Sequence, residues 1–466
     1  MAKAGLAAAA MVRKMLQEHD AYNVLVLAGI GNNGGDALVA ARHLKATWHQ
    51  VAVVFTGDRE KLPADAAAAY DAWVVEGGEL CSEIPLPGRW QVVVDGLFGI
   101  GLSRDLDARY CKLIEQVNAL SLPVLALDIS SGLCMATGRV LGAAIKARHT
   151  LSFIGLKPGL FTLDGPDYAG EVHLDTLGLE IKHLSVKGAL VDHPPYLPFL
   201  RKWNCHKGSH GSVGVIGGAD HMVGAAILAS RTALLLGAGR VYCGLLATQP
   251  PALDTAQVEL MLRDVDTVPA LSSVLVVGPG MGMSSTAMAV LHEVLEQKQP
   301  MVLDADALNL VATDCALQQR LKARAVGSTV LTPHPGEAAH LFGCNTIEEV
   351  QEDRIAIAVR FAQAYRVVIV LKGCGSVIAM PDGRWFINRS GNPGMASAGM
   401  GDTLCGIIAA LLAQSMALEQ AVLLGVYLHG AAADALVGGI GPIGVTAGEV
   451  ALSARKLLNH WVYGRT

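Results

Sequence analysis

From residue 391 to 406 the chain reads Gly-Asn-Pro-Gly-Met-Ala-Ser-Ala-Gly-Met-Gly-Asp-Thr-Leu-Cys-Gly, a glycine-rich loop that runs straight into an apolar helix carrying Ile407, Ile408, Leu411 and Leu412. The backbone N–H groups of residues 398–402 therefore belong to a helix N-terminus, where unpaired donors and the positive end of the dipole favour an anion such as phosphate. A carboxylate there, Asp402, repels the phosphate beside it unless it has a task. The task that fits is taking a proton from a hydroxyl that attacks the phosphate. A plainer alternative is that Asp402 caps the helix and the glycines only shape a turn.

Five further loops place polar groups just past short apolar runs. The strand at 213–216 leads to Gly217-Gly218-Ala219-Asp220, and that at 274–277 to Gly278-Pro279-Gly280-Met281-Gly282. Residues 302–303 lead to Asp304-Ala305-Asp306, residues 330–331 to Thr332-Pro333-His334-Pro335-Gly336-Glu337, and residues 367–371 to Lys372-Gly373-Cys374-Gly375-Ser376. Loops that converge on one sheet edge, with an anion-binding helix beside them, describe a nucleotide cleft containing a base. The sequence has no G-x-x-x-x-G-K-[ST] phosphate loop and no defensible Ser/His/Asp or Cys/His arrangement.

The first part of the chain repeats the design with oxygen-bearing side chains. A strand at 23–28 ends in Gly29-Ile30-Gly31-Asn32-Asn33-Gly34-Gly35-Asp36, and a second follows at 51–55. A third, at 92–94, ends in Asp95-Gly96-Leu97-Phe98-Gly99-Ile100-Gly101, and a fourth, at 124–127, in Asp128-Ile129-Ser130-Ser131-Gly132. Further strands fall near 150–154 and 172–174. The glycine spacing is not G-x-G-x-x-G, so the turn alone is a weak dinucleotide signal. Asn33, Asp95 and Ser131 share the C-terminal sheet edge and together offer oxygens to a cation, although each alone would pass for a cap or turn residue.

These groups need rigid elements behind them. A length of 466 residues exceeds one core. The pattern of apolar runs predicts an α/β protein of two doubly wound domains, residues 1–185 and 207–466, joined by a Pro-rich linker at 186–206 around His193-Pro194-Pro195-Tyr196-Leu197-Pro198. Residues 224–236 are mostly small and predict a helix packed closely on the second sheet. Hydrophobic residues at 52%, charged residues at 17% and 52 glycines exclude disorder. A net charge of −5 gives no reason to expect nucleic acid or an anionic membrane as partner. Nine cysteines without a C-x-x-C pair suggest neither zinc nor disulfides, and place free thiols in a reducing cytosol. The Ala-rich start continues to Arg13, Lys14 and Glu18 at helical spacing and reads as a helix, not a leader. No uncharged run reaches about 18 strongly apolar residues, because Glu419 interrupts the longest. The expectation is a cytoplasmic homo-oligomer acting on small molecules.

With these motifs in order, the chain resembles, over essentially its whole length, the bifunctional NAD(P)H-hydrate repair enzymes. In that family an NAD(P)HX epimerase domain, Rossmann-like, is fused to an ADP/ATP-dependent NAD(P)HX dehydratase domain of ribokinase-like fold. The resemblance is carried by residues 31–36, 95–99 and 128–132, and then by His206-Lys207-Gly208 and residues 278–282, 303–308, 332–337, 372–376 and 394–402. It implies potassium held by Asn33, Asp95 and Ser131. It also implies a hydrated dinucleotide, NADHX or NADPHX, among Asn32, Asn33, Gly34, Gly35, Asp36, Gly99, Gly101 and Asp105, with Asp128 moving a proton at the ring. In the dehydratase domain it implies Ala225, Gly280, His334 and the catalytic Asp402 on the substrate. Lys372, Gly373, Cys374, Gly375, Ser376 and Gly401 would hold ADP or ATP, with magnesium as helper ion.

The chain departs from the family pattern in places. It begins part-way into the family's N-terminal region. Ala37 stands where Gly is usual and is expected to strain a turn that calls for positive φ. Ser130 replaces a usual Pro, and Ala136 a usual acidic residue. Ser397 and Ser376 replace Thr, and Met400 replaces a small residue. Two other readings stay open: a ribokinase-like kinase for a vitamin-precursor alcohol, and a nucleotide-sensing protein with decayed sites. The fused Asn-Asn-Gly-Gly-Asp domain argues against the first, and the intact Asp402 and Lys372 against the second.

Overall fold

Alternation along the buried strands divides each between two cores, which is why these runs become sheet interiors with helices on both faces. In the strand Asn23–Ala28, Val24, Val26 and Ala28 join one hydrophobic cluster, while Leu25 and Leu27 join another. The computed structural model describes residues 1–17, 22–85, 90–180, 186–197 and 200–464. It divides into two units, Met1–Ser185 and Val186–Thr466. Glu18 and Pro198, used in the sequence reading, lie outside the described residues.

The first unit holds β1 (Asn23–Ala28), β2 (Gln50–Phe55), β3 (Glu79–Cys81), β4 (Val92–Gly96), β5 (Val124–Leu127), β6 (His149–Phe153) and β7 (Glu171–Asp175). They form one parallel sheet of order β3-β2-β1-β4-β5-β6-β7. The order reverses between β1 and β4, the switch point at which open α/β sheets bind ligands beyond the strand ends. Register pairs Leu27 with Asp95, so the loops after β1 and β4 start level with each other. The helix Ala2–Gln17 packs so tightly on the helix Asn32–Ala46 that a Cβ on Gly5 would fall 2.4 Å from Val39.

The strain expected at Ala37 does not arise. Ala37 is a fully buried residue inside the helix Asn32–Ala46 and is not among the residues with positive φ. The need for glycine falls instead on its neighbour across the gap, because a Cβ on Gly96 would sit 2.5 Å from the Ala37 methyl.

The second unit holds β8 (Gly188–Val191), β9 (Ser212–Gly217), β10 (Arg240–Leu245), β11 (Met261–Arg263), β12 (Val274–Val277), β13 (Met301–Leu303), β14 (Thr329–Leu331), β15 (Val368–Leu371), β16 (Val377–Ala379) and β17 (Trp385–Asn388). Their order is β11-β10-β9-β12-β13-β14-β15-β16-β17-β8, parallel except that β16 runs antiparallel to both neighbours. The segment read as linker at 186–206 is thus corrected in part. Its residues 188–191 add an edge strand beside β17, and four residues next to a proline cluster are too few to show an alternation. The small-residue helix, observed as Val223–Leu235, packs on the helix Met400–Ala413 as well as on the sheet; a Cβ on Gly406 would fall 2.5 Å from Ala229 O.

The helix Leu418–Ile440, with a mean hydropathy of 1.5 over its best window, is long and apolar enough to cross a membrane. Here it is a core helix: Ala421, Val422, Leu424 and Leu428 are buried among residues of the helices Met400–Ala413 and Ala447–Tyr463.

Candidate active sites

In the second unit, Gly399 at φ 87° ends the loop and Asp402 is the third residue of the helix Met400–Ala413. The first helical bond runs from Thr403 N–H to Gly399 O, 3.0 Å, so the N–H groups of Met400, Gly401 and Asp402 have no backbone acceptor. The capping alternative for Asp402 therefore falls away, and among the described residues no hydrogen bond reaches its carboxylate. Burial pushes Asp402 up to about 7; the charges of Asp304, Glu337 and Asp306 add to this, and Lys372 opposes it.

Lys372, at the end of β15, is the cation of this cluster. Its Nζ donates to Asp304 Oδ1 at 2.7 Å and lies 3.7 Å from Glu337 Oε2. Asp304 also accepts from the Thr332 hydroxyl at 2.8 Å. Complete burial would raise Asp304, but the Lys372 charge and these hydrogen bonds hold it below the ordinary carboxylate range. Lys372 is in turn held above the ordinary lysine range: Asp304 and Glu337 outweigh its burial. Glu337 meets the opposite fate, pushed up to about 7 by burial with Asp304 beside it. One ammonium thus lies beside Asp304 and Glu337, and its charge also reaches Asp402; Glu337 and Asp402 are the two carboxyls lifted to about 7.

Of the remaining expected residues, Gly401 and His334 adjoin this cluster, and the others lie in or just past strand-end loops of the same sheet. A Cβ on Gly401 would lie 3.1 Å from both Asp304 Oδ2 and Lys372 Nζ, so the helix N-terminus closes directly on the ion pair. His334 caps the helix Pro335–Phe342: its Nδ1 accepts from Gly336 N–H at 3.0 Å and Glu337 N–H at 3.2 Å. That leaves the proton on Nε2, and partial burial with the nearby Lys372 charge keeps the ring below its ordinary value, hence neutral. At the switch point between β9 and β12, Gly218 and Ala219 N–H donate to Pro279 O and Gly280 O, at 2.9 and 2.7 Å. Gly280, at φ 59°, approaches Ala225 so closely that a Cβ would sit 3.2 Å from the alanine methyl. In the loop after β15, Gly373 takes φ 136° over the Arg354 guanidinium, which donates to Leu371 O and Lys372 O at 3.2 and 3.1 Å. Ser376 Oγ donates to Gly373 O at 3.1 Å, Gly375 takes φ 60°, and Cys374 is exposed.

In the first unit, Asn33, Asp95 and Ser131 meet around the backbone of Phe98. Asn33 Nδ2 donates to Phe98 O at 3.0 Å, and Phe98 N–H donates to Ser131 Oγ at 2.8 Å. Ser131 donates to Asp95 through both its hydroxyl (2.6 Å) and its N–H (2.8 Å). Asp95 is fully buried and is lifted to about 6 by that burial, against the hydrogen bonds of Ser131 and Leu97; no cationic side chain contributes. Gly99 lies against Asn33, where a Cβ would meet the Asn33 Cβ at 3.3 Å. Residues 32–36 form the opening turn of a helix rather than a loop, with Asn32 exposed and Asn33, Gly34 and Gly35 buried. Burial lifts Asp36 to about 6, and the charge of Asp128 adds to this. Asp128, at φ 66°, accepts from Phe153 N–H at 3.0 Å and from the Lys157 ammonium. Gly101 and Asp105 are not drawn into this group: Gly101 stands in open space, and Asp105 is exposed with its carboxylate 4.0 Å from Arg139.

A family profile described as NAD(P)H-hydrate dehydratase matches residues 213–452, and one described as YjeF-related protein N-terminus matches residues 1–159. The chain is 38% identical over 471 residues to the bifunctional NAD(P)H-hydrate repair enzyme of Escherichia coli K12, covering 98% of this chain and 89% of that protein. The chain belongs to the bifunctional NAD(P)H-hydrate repair enzymes. It is likewise 38% identical over 454 residues to the repair enzyme of Coxiella burnetii, covering 94% of this chain and 91% of that one. Among solved structures it is similar to the ADP/ATP-dependent NAD(P)H-hydrate dehydratase of Bacillus subtilis co-crystallised with ATP and magnesium. That match has 29% identity and a TM-score of 0.50, and covers 57% of this chain and 94% of that one.

A repair enzyme of this family combines epimerisation and dehydration of hydrated NADH and NADPH in one chain, and the match to both halves sets aside the lone-kinase reading. Sequence reasoning missed several residues of this repair enzyme's clusters. Asp304, Thr332 and Glu337 stand in the quoted strand-end loops, and Lys157 lies just past the strand near 150–154, so their position was a usable signal. Arg354 and His429 gave none, since only the fold buries them beside Lys372. His429 is buried with Nε2 unpartnered, and burial pushes it down to about 4.

Proposed function

We propose that the second unit dehydrates the S form of NAD(P)HX by phosphorylating it. Hydroxide is a poor leaving group at C6 of the hydrated nicotinamide ring, and phosphate is a good one. Asp402 takes the hydroxyl proton, the oxygen attacks the terminal phosphorus of ATP or ADP, and the shortened nucleotide leaves. The ring nitrogen lone pair then expels phosphate with the C6–O bonding pair, and loss of the C5 proton restores the dihydropyridine. The N–H groups of Met400, Gly401 and Asp402 stabilise the charge on the phosphoryl group in flight. Neutral His334, with Gly280 and Ala225, orients the dinucleotide. Lys372, the loop at 373–376 and Gly401 seat the adenine nucleotide.

A single observation carries this reading: an unpartnered carboxylate titrating near 7 in the first turn of a helix whose N–H groups are free. A base poised at neutral pH is what the proton transfer requires. The surplus of carboxylates over the one lysine fits a divalent cation. Magnesium held by Glu337 and Asp306 would neutralise the polyphosphate.

In the first unit, Asn33, Asp95, Ser131 and the Phe98 carbonyl would hold potassium. The donor set is hard and oxygen-rich, and among the described residues no cationic side chain faces the buried Asp95. Asp128, paired with the Lys157 ammonium, and Asp36, lifted to about 6 by burial, are the two carboxylates placed to move protons at the ring. The setting we assign is the cytoplasm, in keeping with nine cysteines that form no disulfide. The deciding experiment follows recovery of the reduced-nicotinamide absorbance from chemically prepared hydrated NADH, with and without ADP or ATP. Equal recovery without nucleotide would refute the phosphorylation route.

A further inference from the structure

Away from both clusters, three ligating side chains of the first unit point at one spot. His149 opens β6, and Glu171 and His173 lie on β7, which among the described residues pairs only with β6. Parallel register sets His149 opposite Glu171 and Leu151 opposite His173, so Glu171 and His173 share a face, both within reach of His149. Nδ1 of His149 lies 3.2 Å from Nε2 of His173. His149 Nδ1 is 3.6 Å from Glu171 Oε2, and His173 Nε2 is 3.6 Å from Glu171 Oε1. The rings are tilted by 44° with centroids 5.3 Å apart, so they do not stack.

A tetrahedral ion with bonds of about 2.0 to 2.2 Å needs neighbouring donor atoms roughly 3.3 Å apart. The two nitrogens already meet that spacing, each has a Glu171 oxygen at 3.6 Å, and one ligand atom from each residue falls within 4.8 Å of the others. A hydrogen bond between two imidazoles would account for the 3.2 Å contact. The carboxylate adds a third donor group, one oxygen 3.6 Å from each nitrogen, beyond hydrogen-bond range and within reach of an ion held between them.

We propose that His149, Glu171 and His173 bind a divalent transition-metal ion of the zinc type, with water as fourth ligand on the exposed side of Glu171. The site stands apart from the epimerase chemistry. Asp128 and the other ligand-facing groups lie past the C-terminal end of β6, where Phe153 N–H meets Asp128. His149 is at the opposite end, about 13 Å away at 3.3 Å per residue. The ion clamps the edge strand β7 to β6 and takes no part in either reaction.

The test uses the full chain, stripped with a chelator and titrated with zinc and, separately, with cobalt. One equivalent of either should bind, the cobalt complex should show the intense visible bands of four-coordination, and zinc should raise the thermal midpoint of the first unit. His149→Gln and His173→Gln should each weaken binding at least about 10-fold without changing metal-free stability or either catalytic rate. If a histidine variant proves unstable without metal, Glu171→Gln, at an exposed position, serves for the same comparison. Zinc bound as tightly by the variants as by the parent, or no zinc bound by the parent, would overturn the proposal.

Discussion

Replacing Asp402 by Asn distinguishes a base from a structural residue, because the two roles move stability in opposite directions. The Asp402 carboxyl titrates at about 7 in the folded protein against an ordinary 3.8. A raised carboxyl favours the protonated folded form, so its contribution is fully present below the unfolded value and is lost as pH rises through 7. About three units at roughly 1.4 kcal/mol each set an upper bound of about 4 kcal/mol lost above pH 7. Partial exposure screens some of this, which leaves about 2 kcal/mol. Asparagine has the same shape and never charges, so it should raise the thermal midpoint of the second unit by several degrees at pH 8 and by less than half as much at pH 5, where only the unfolded carboxyl is ionised. A lost cap would instead lower stability by about 1 kcal/mol at both. Dehydration should fall by at least about 100-fold, while ATP binds as well or better with one negative charge fewer beside its phosphates. The assays are thermal unfolding at the two pH values, an ATP titration, and turnover of the S epimer. Parental turnover, or a variant destabilised at pH 8, refutes the reasoning.

Lys372→Ala leaves Asp304 charged and buried without a partner and should destabilise the second unit by about 3 to 5 kcal/mol. Adding Asp304→Asn should restore the thermal midpoint without restoring dehydration, and a double variant no more stable than the single would contradict the ion pair's role. Gly401→Val forces a side chain onto the Asp304–Lys372 pair, and should weaken ATP at least about 10-fold in an equilibrium titration while hydrated NADH binds normally; the reverse pattern would mean that the two ligands are exchanged in the cleft. Asp95→Asn should abolish any advantage of potassium over sodium buffer in epimerisation of the pure R form, measured with excess dehydratase activity present. Retention of that advantage would move the cation elsewhere.

The chemistry was more legible than the edges of the sheets. Long buried runs such as 274–277 announced themselves by composition, and the polar groups past them marked one sheet edge, because a parallel strand buried on both faces leaves charge nowhere else to go. The strands β3, β11 and β16 are three residues each, too short for any period to show. β10 was overlooked because Tyr242 and Cys243 interrupt its aliphatic pattern. The expected strain at Ala37 failed for a different reason: the motif at 32–36 begins a helix, and the close approach that requires glycine lies on β4. Proximity in space was the hidden variable at the active cluster. Asp402 looked like a lone carboxylate, and only the fold shows that Asp304, Glu337 and Lys372 set its proton affinity.

The two units meet one electrostatic problem with two answers. Each buries a carboxylate completely near the C-terminal end of a parallel strand, Asp95 in β4 and Asp304 just after β13. Asp304 has Lys372 at 2.7 Å and is held below its ordinary range. Asp95 has only hydrogen bonds from Ser131 and Leu97, and burial lifts it to about 6. Three neutral donors do not compensate a buried charge as an ammonium does. The second unit therefore carries its counter-charge in the chain and can hold its cluster in shape before any ligand arrives. On the proposed potassium assignment the first unit would leave the same position to a cation from solvent, so its site should tighten with ionic composition rather than with nucleotide. Unfolding of the first unit in potassium and in sodium buffer at pH 8, where Asp95 must ionise, tests this. Potassium should raise its midpoint in the parent protein and not in Asp95→Asn, and an equal rise in both would show that the ion binds without the carboxylate.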